Sequence, residues 1–154
     1  MDAIQSYLPN VPGLLPYWLI LVSLQSDEPI PFTIDELQLA AVSIGNSIQT
    51  YSTLTYTKRV YSAKPNEVTG LSARTFGTWT FVTAVVRIIA AYHLNEPAMY
   101  RMAFVVFLGA NLHFLSEWLV FKTTKWGEGL AGPVIISSVS LLWMLVQWDY
   151  YTKL

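Results

Sequence analysis

Three long runs of apolar residues occupy the second half of the chain, near residues 75–94, 98–121 and 131–148. A bilayer core of roughly 30 Å is crossed by about 20 apolar residues in helical conformation, each adding ~1.5 Å. Charged residues are few within each run. The sequence therefore predicts a transmembrane helix at each of these three positions.

The first hydrophobic region is interrupted by a polar stretch. Residues 14–23 and 41–54 are largely apolar, and the stretch 24–40 between them contains four of the ten acidic residues and two prolines. Such a stretch does not cross hydrocarbon as a continuous helix, whereas the two flanks joined directly make one span of ordinary length. We interpret 24–40 as a polar insert in the first span, either a genuine lineage-specific insertion or translated intron sequence.

These regions predict an all-α integral membrane protein: a single membrane domain over residues 1–154, with about four transmembrane helices in a small bundle. The second and third helices are separated only by residues 93–97. Asn95 is expected to cap the third helix, and Pro97 is tolerated in its first turn. The two helices should therefore form a tight antiparallel hairpin.

Basic residues predict how the chain is oriented in the membrane. The first and third connections together hold Lys58, Arg59, Lys64, Arg74, Lys122 and Lys125, whereas the opposite side has Arg101 and Lys153. Because basic loops stay in the cytosol, these two connections should be cytosolic and both termini luminal. A re-entrant first region would move the N-terminus to the other side.

The composition supports a membrane environment and excludes several kinds of site. Hydrophobic residues make up 53% of the chain and charged residues only 12%, against roughly 25% charged in soluble proteins. The absence of cysteine excludes disulfides, thiolate metal sites and cysteine nucleophiles. A formal net charge of −1, with no cluster of basic and aromatic residues, argues against nucleic acid as a partner.

Charged residues at membrane depth are costly and mark helix contacts or function. Arg74 and Glu117 lie equally far in sequence from the centre of the turn between Asn95 and Glu96. We therefore predict an ion pair between them at the cytosolic end of the hairpin, with His113 one helical turn from Glu117 on the same face. Fixing the register of the two helices is the expected role, rather than catalysis or proton relay.

Arg87 should not share this pair. It lies about 13 residues closer to the turn than Glu117 does, which is roughly 20 Å along a helix. We expect its side chain to extend toward the membrane surface, or to reach Gln147 or Asp149 near the luminal end of the last helix.

Small and amide residues predict close helix contacts. Asn46 and Gln49 are three positions apart on one face of the first span, beside Ser43, Gly45 and Ser47. Small residues let backbones approach, and amides then form hydrogen bonds across the interface. A contact within the monomer and a contact with a partner both fit this stripe. The last span carries a similar stripe in Ser137, Ser138 and Ser140.

The sequence lacks the common catalytic and cofactor motifs. His93 and His113 are the only two histidines, so a multi-histidine iron site cannot be built, and His113 with Glu117 supplies too few ligands for a metal. No dinucleotide fingerprint, phosphate-binding loop or G-x-S-x-G motif is present. We predict no catalytic, cofactor-binding or metal site.

Six strings, in order along almost the whole chain, resemble one family closely. They are SIGNSIQTY at 43–51, TKRVY at 57–61, LSARTFGTWTF at 71–81, LNEPAMY at 94–100, HFLSEWLVF at 113–121 and AGPVIISSVSLLWM at 131–144. The chain resembles the ergosterol biosynthesis protein twenty-eight family of the endoplasmic reticulum, and its fungal members in particular. The insert at 24–40 is the departure from that pattern.

The resemblance implies a non-enzymatic, multi-pass scaffold in the endoplasmic reticulum membrane, without a cofactor. Its implied partners are the sterol C-4 methyl oxidase, the C-3 dehydrogenase/C-4 decarboxylase, the 3-keto reductase and the sterol C-24 methyltransferase, together with membrane lipid. Self-association is left open, and the alternative function is a sterol-binding or sterol-transfer membrane protein. The candidate interaction residues are Asn46, Gln49, Arg74, Arg87, Asn95, Glu96, Pro97, His113 and Glu117.

Overall fold

The computed structural model describes residues 9, 13–23 and 48–153. Their helices are α1 (Leu15–Ser23), α2 (Thr55–Val60), α3 (Gly70–Tyr92), α4 (Pro97–Leu119), α5 (Glu128–Val146) and α6 (Trp148–Thr152). Residues 48–52 are also helical, Pro65–Glu67 form a 3₁₀ turn, and the described ranges contain no strand. The all-helical prediction is confirmed for this part of the chain.

Three of these helices, α3, α4 and α5, are long and apolar enough to cross a membrane, so the chain is a multi-pass membrane protein. They correspond to the three predicted runs, although each helix begins one to five residues earlier and ends two residues earlier. The first predicted span is described only at its two ends, 14–23 and 48–54. The insert at 24–40, and with it a fourth span and the single-domain organisation, lies outside the described residues and stays a prediction.

The start of α3 is fixed by a capping box. The Thr69 hydroxyl accepts a hydrogen bond from the backbone N–H of Ser72 at 3.2 Å, and the Ser72 hydroxyl accepts one from the Thr69 N–H at 2.9 Å. These bonds satisfy two N–H groups that would otherwise lack partners at the helix end. The helix therefore begins before the apolar run, because capping sets the helix end and hydrophobicity sets only the membrane-embedded part.

The turn between α3 and α4 is as short as predicted, but its cap is a different residue. Pro97 is the first residue of α4, and Glu96 occupies the N-cap position with φ −93° and ψ 115°. The residue before a proline favours this extended backbone, so Glu96 rather than Asn95 ends the turn. Glu96 makes no capping bond, and its carboxylate lies 3.1 Å from Nδ1 of His93. The prediction of Asn95 as the cap is wrong.

The buried core lies in two clusters. The larger is at the hairpin-turn end and joins α1, α3, α4 and the C-terminal helices through Leu15, Leu19, Ala90, Ala91, Leu94, Tyr100, Ala103, Phe107, Met144 and Tyr151. The smaller cluster, at the opposite end, contains Val60, Phe114, Leu130 and Val134. Large apolar side chains such as Val105 and Leu142 remain 63% and 65% exposed. Such exposure suits helices that are surrounded by lipid.

Candidate functional sites in the helix bundle

A polar cluster joins the segment after α2 to α4. The Tyr61 hydroxyl lies 2.8 Å from Nε2 of His113, and the two rings meet edge to face. The rings of Tyr61 and of Phe76 in α3 are nearly perpendicular, with centroids 5.8 Å apart. Tyr61 therefore contacts both helices of the hairpin at the end opposite its turn.

Glu117 completes this cluster. Its carboxylate accepts a hydrogen bond from the Thr123 hydroxyl, and the Thr123 N–H donates to the Glu117 carbonyl oxygen at 2.9 Å. The carbonyl of Thr123 in turn accepts from the Ala63 N–H at 3.0 Å. Burial, then the negative charge of Glu117, then Tyr56 raise the pKa of Tyr61 well above its ordinary value of 10.0. The phenol therefore stays protonated as a hydrogen-bond donor.

The predicted ion pair between Arg74 and Glu117 is not formed. Arg74 is exposed on α3, while the carboxylate of Glu117 is engaged by Thr123. Arg74 directly follows Ala73, which is buried, and successive helical residues point about 100° apart. Equal depth along the hairpin therefore did not place the two side chains on facing surfaces.

A second contact ties α2 to the start of α5. Arg59 forms an ion pair with Glu128, and the neighbouring Gly129 lies against the α2 backbone. A Cβ at Gly129 would lie only 2.6 Å from the carbonyl oxygen of Arg59 and 3.0 Å from Cα of Val60. Only glycine allows this approach without a shift of the backbone.

Arg87 is half-buried between α3 and α4. Its Nε donates to the Thr83 carbonyl at 3.2 Å, and its guanidinium lies 5.5 Å from the centroid of the Phe107 ring. The residue lines a partly open cavity of about 120 Å³, which Ser137 of α5 also lines. A cation–π contact and a backbone carbonyl are therefore the partners of the guanidinium among the described residues.

Neither Gln147 nor Asp149, the predicted partners of Arg87, bonds to it. Asp149 pairs with Lys153 at 2.9 Å, and within the described residues Oε1 of Gln147 is buried without a hydrogen bond. The prediction that Arg87 reaches Gln147 or Asp149 is wrong, because the guanidinium turns inward over Phe107.

Side-chain hydrogen bonds connect α5 to α4 and to α1. Nδ2 of Asn111 in α4 donates to the hydroxyls of Ser137 and Ser138 at 3.0 and 2.8 Å. Nε1 of Trp18 in α1 donates to the Ser140 hydroxyl at 2.8 Å. The serine stripe of the last span is therefore used within the monomer. The sequence did point to the serines but not to Asn111, whose only signal was being a lone amide in an apolar run.

The amide stripe of the first span is only partly described. Asn46 lies outside the described residues, and Gln49 is exposed. Nearby, the Tyr51 hydroxyl lies 2.5 Å from Oγ1 of Thr78, which joins residues 48–52 to α3. Among the described residues no three His, Asp or Glu side chains lie close enough to hold a metal ion.

Comparison with known proteins identifies the family. A family model described as "Erg28 like protein" matches residues 36–142, well over half of the chain. The chain belongs to the Erg28 like family. The resemblance found in the six strings is confirmed.

Curated relatives cover almost the whole chain. The protein of Candida albicans called Ergosterol biosynthetic protein 28 is 48% identical over 97% of this chain and 96% of its own length. The Saccharomyces cerevisiae protein of the same name is 45% identical over 91% of this chain and 84% of its own length. The human Ergosterol biosynthetic protein 28 homolog is 33% identical over 90% of this chain and 87% of its own length. No solved structure matches the chain.

Proposed function

We propose that this chain is a non-enzymatic scaffold of ergosterol biosynthesis in the endoplasmic reticulum membrane. The observation that carries the proposal is its similarity, at 45–48% identity over nearly full length, to fungal proteins named for ergosterol biosynthesis. The proposed partners are the sterol C-4 methyl oxidase, the C-3 dehydrogenase/C-4 decarboxylase, the 3-keto reductase and the sterol C-24 methyltransferase.

The geometry supports scaffolding in two ways. The polar groups of the spans are engaged within the bundle, since Asn111 bonds to Ser137 and Ser138 and the Arg87 guanidinium stacks on Phe107. The outer faces, in contrast, are broad and apolar. Ile135, Val139, Leu142 and Val146 form one such stripe on α5 and are 44–78% exposed. A stripe of this kind can pack against helices of other membrane proteins through shape rather than charge.

The benefit of a scaffold is effective concentration. Enzymes held on one bundle meet each other's intermediates at a local concentration that free diffusion in the membrane does not provide. The basic connections around Lys58, Arg59 and Lys122 lie at one end of the bundle, because Ala63 and Thr123 are hydrogen-bonded there. We place that end in the cytosol.

The proposal is tested with the chain tagged and expressed at its native level. The tagged chain is purified from gently solubilised membranes, and the four enzymes are quantified with wild type, Leu142→Trp and the matched control Val105→Trp. Both positions are more than 60% exposed, so neither substitution disturbs the core. We expect enzyme recovery from the wild type, and a loss with Leu142→Trp that Val105→Trp does not reproduce.

Two results would contradict this function. One is an unchanged sterol profile in cells that lack the chain, since a scaffold of the pathway should cause C-4 methylated intermediates to accumulate when it is removed. The other is conversion of a sterol by the purified chain alone, which would make it an enzyme. Co-purification of two differently tagged copies from the same extract also determines whether the chain self-associates.

A further inference from the structure

A groove of about 540 Å³ opens beside the first turns of α3. Its apolar walls are Leu71, Phe76 and Trp79, and Tyr61 and His113 also line it. The described residues that line the groove include no Lys, Arg, Asp or Glu. Its volume lies within the roughly 300–1,000 Å³ typical of small-molecule sites.

Most polar groups of the groove are already bonded within α3. The hydroxyls of Thr69 and Ser72 form the capping box, and the Thr75 hydroxyl donates to the Leu71 carbonyl at 3.0 Å. The remaining polar feature is the pair of Tyr61 and His113, 2.8 Å apart. A phenol oxygen both donates and accepts, so this pair has capacity for one more hydrogen bond.

These features define the chemistry of a ligand. Without a charged side chain in the lining, the groove has nothing to offset the charge of a phospholipid headgroup. The aromatic rings of Phe76 and Trp79 suit a flat, rigid apolar body, and the Tyr61–His113 pair suits a single hydroxyl at one end of it, which donates to the phenol oxygen. A sterol has this combination: four fused rings with one oxygen at the edge.

We propose that this groove is a sterol-binding site, with the sterol oxygen bonded to the Tyr61–His113 pair and the rings against Phe76 and Trp79. Sterol binding was the alternative function considered above, and this groove is a specific location for it. Binding a sterol is a function in addition to scaffolding. A chain that holds both a sterol and the enzymes that modify it would present the substrate as well as assemble the machinery.

Sterol binding is measured on the purified full chain in phosphatidylcholine nanodiscs, with tritiated ergosterol as the probe. Unlabelled ergosterol, its 3-methyl ether and diacylglycerol, a flexible neutral lipid with one hydroxyl, are the competitors. We expect saturable binding that unlabelled ergosterol displaces. Diacylglycerol should fail to displace it, and the ether should compete more weakly because it cannot donate a hydrogen bond.

Two α3 variants form a matched pair. Thr75→Trp places an indole in the groove from an exposed position and should abolish saturable binding. Val82→Trp adds the same side chain on the same helix at a position that is 51% exposed and does not line the groove, and it should bind as wild type. Tyr61→Phe should weaken binding by about three- to tenfold, the usual effect of one hydrogen bond. Elution volume and melting temperature establish that each variant is folded.

Several outcomes would overturn the proposal. They are the absence of saturable binding, equal displacement by diacylglycerol, and wild-type binding by a folded Thr75→Trp variant. Full affinity of both Tyr61→Phe and the methyl ether would exclude the Tyr61–His113 pair from the site and overturn it as well. The assay contains no enzyme partner, so its result is independent of enzyme recovery in the scaffold experiment.

Discussion

The hydroxyl of Tyr61 and Nε2 of His113 lie 2.8 Å apart, although 52 positions separate the two residues in the sequence. This hydrogen bond connects the end of α2 to the last part of α4, and Phe76 packs against the same tyrosine ring. The contact therefore joins three parts of the chain at the end opposite the hairpin turn.

Replacing Tyr61 with Phe should destabilise the bundle. The ring contact with Phe76 is kept while the bond to His113 is lost, at a cost of about 1 kcal/mol in the free energy of unfolding. Thermal unfolding of the purified chain in mild detergent measures the change. Tyr17→Phe is the control, because Tyr17 is exposed on α1 and no hydrogen bond of its hydroxyl is seen among the described residues. An equal effect of both substitutions would mean that the Tyr61–His113 bond adds nothing to stability.

The stability that Tyr61 contributes should depend on pH in the alkaline range. Burial first, and then the charge of Glu117, raise the pKa of Tyr61 in the folded state above its ordinary value of 10.0. The folded chain thus holds this proton more tightly than the unfolded chain, and stability falls as pH rises above the unfolded pKa. The contribution is complete below pH 10.0 and is lost progressively as pH rises toward the folded pKa.

Absorbance of the tyrosinate ion, recorded as a difference between wild type and Tyr61→Phe, follows this titration. Glu117→Gln removes the second cause of the shift and should move the Tyr61 midpoint to lower pH. Glu67→Gln is the matched control, since Glu67 is not among the groups that shift the pKa of Tyr61. If Glu117→Gln leaves the midpoint unchanged, the carboxylate does not act on the phenol.

The sequence predicted the three spans because each is a long apolar run, and it predicted the hairpin because only a few residues separate α3 from α4. Counting residues from the turn compares positions along the helix axis but says nothing about rotation around that axis. The Arg74–Glu117 prediction failed because it rested on this count alone. The packed face of α3 is set by small residues such as Ala73 and Gly77, and Arg74 lies beside that face rather than on it.

Contacts between separate segments could not be predicted from the sequence, for a related reason. Tyr61 follows α2 in a connection without periodicity, so nothing in its surroundings predicted a bond to His113. Asn111 stands alone in its span, and its serine partners on α5 became apparent only from the packing of α4 against α5. Both contacts depend on tertiary geometry, which hydrophobic patterning does not specify.

Gly129→Ala should destabilise the chain. A methyl group at this position would lie 2.6 Å from the Arg59 carbonyl oxygen and 3.0 Å from Cα of Val60. Both atoms belong to the backbone, so α2 must move away from α5. We expect a loss of about 1–3 kcal/mol in the free energy of unfolding. Gly109→Ala is the control within a helix. Its methyl would lie 3.6 Å from the Trp79 ring, an ordinary contact, and alanine favours the helix by about 0.5–1 kcal/mol.

Melting temperatures of the two purified variants test this comparison directly. Gly129→Ala should melt below wild type, and Gly109→Ala at or above it. Equal melting of Gly129→Ala and wild type would mean that α2 does not lie against the start of α5 in the membrane-extracted protein.

The Asn111 amide should couple α4 energetically to α5. A double-mutant cycle with Asn111→Ala and Ser138→Ala isolates the bond at 2.8 Å. Hydrogen bonds between transmembrane helices contribute about 0.6 kcal/mol on average, so we expect a coupling energy near that value from unfolding of the purified chain. A parallel cycle pairs Asn111→Ala with Ser52→Ala, whose hydroxyl bonds only within its own helical segment. The effects of these two substitutions on the free energy of unfolding should be additive. Additivity in the first cycle would show that the bond between Asn111 and Ser138 does not couple the two spans. Coupling in the second cycle would show that the coupling energy is not specific to that bond.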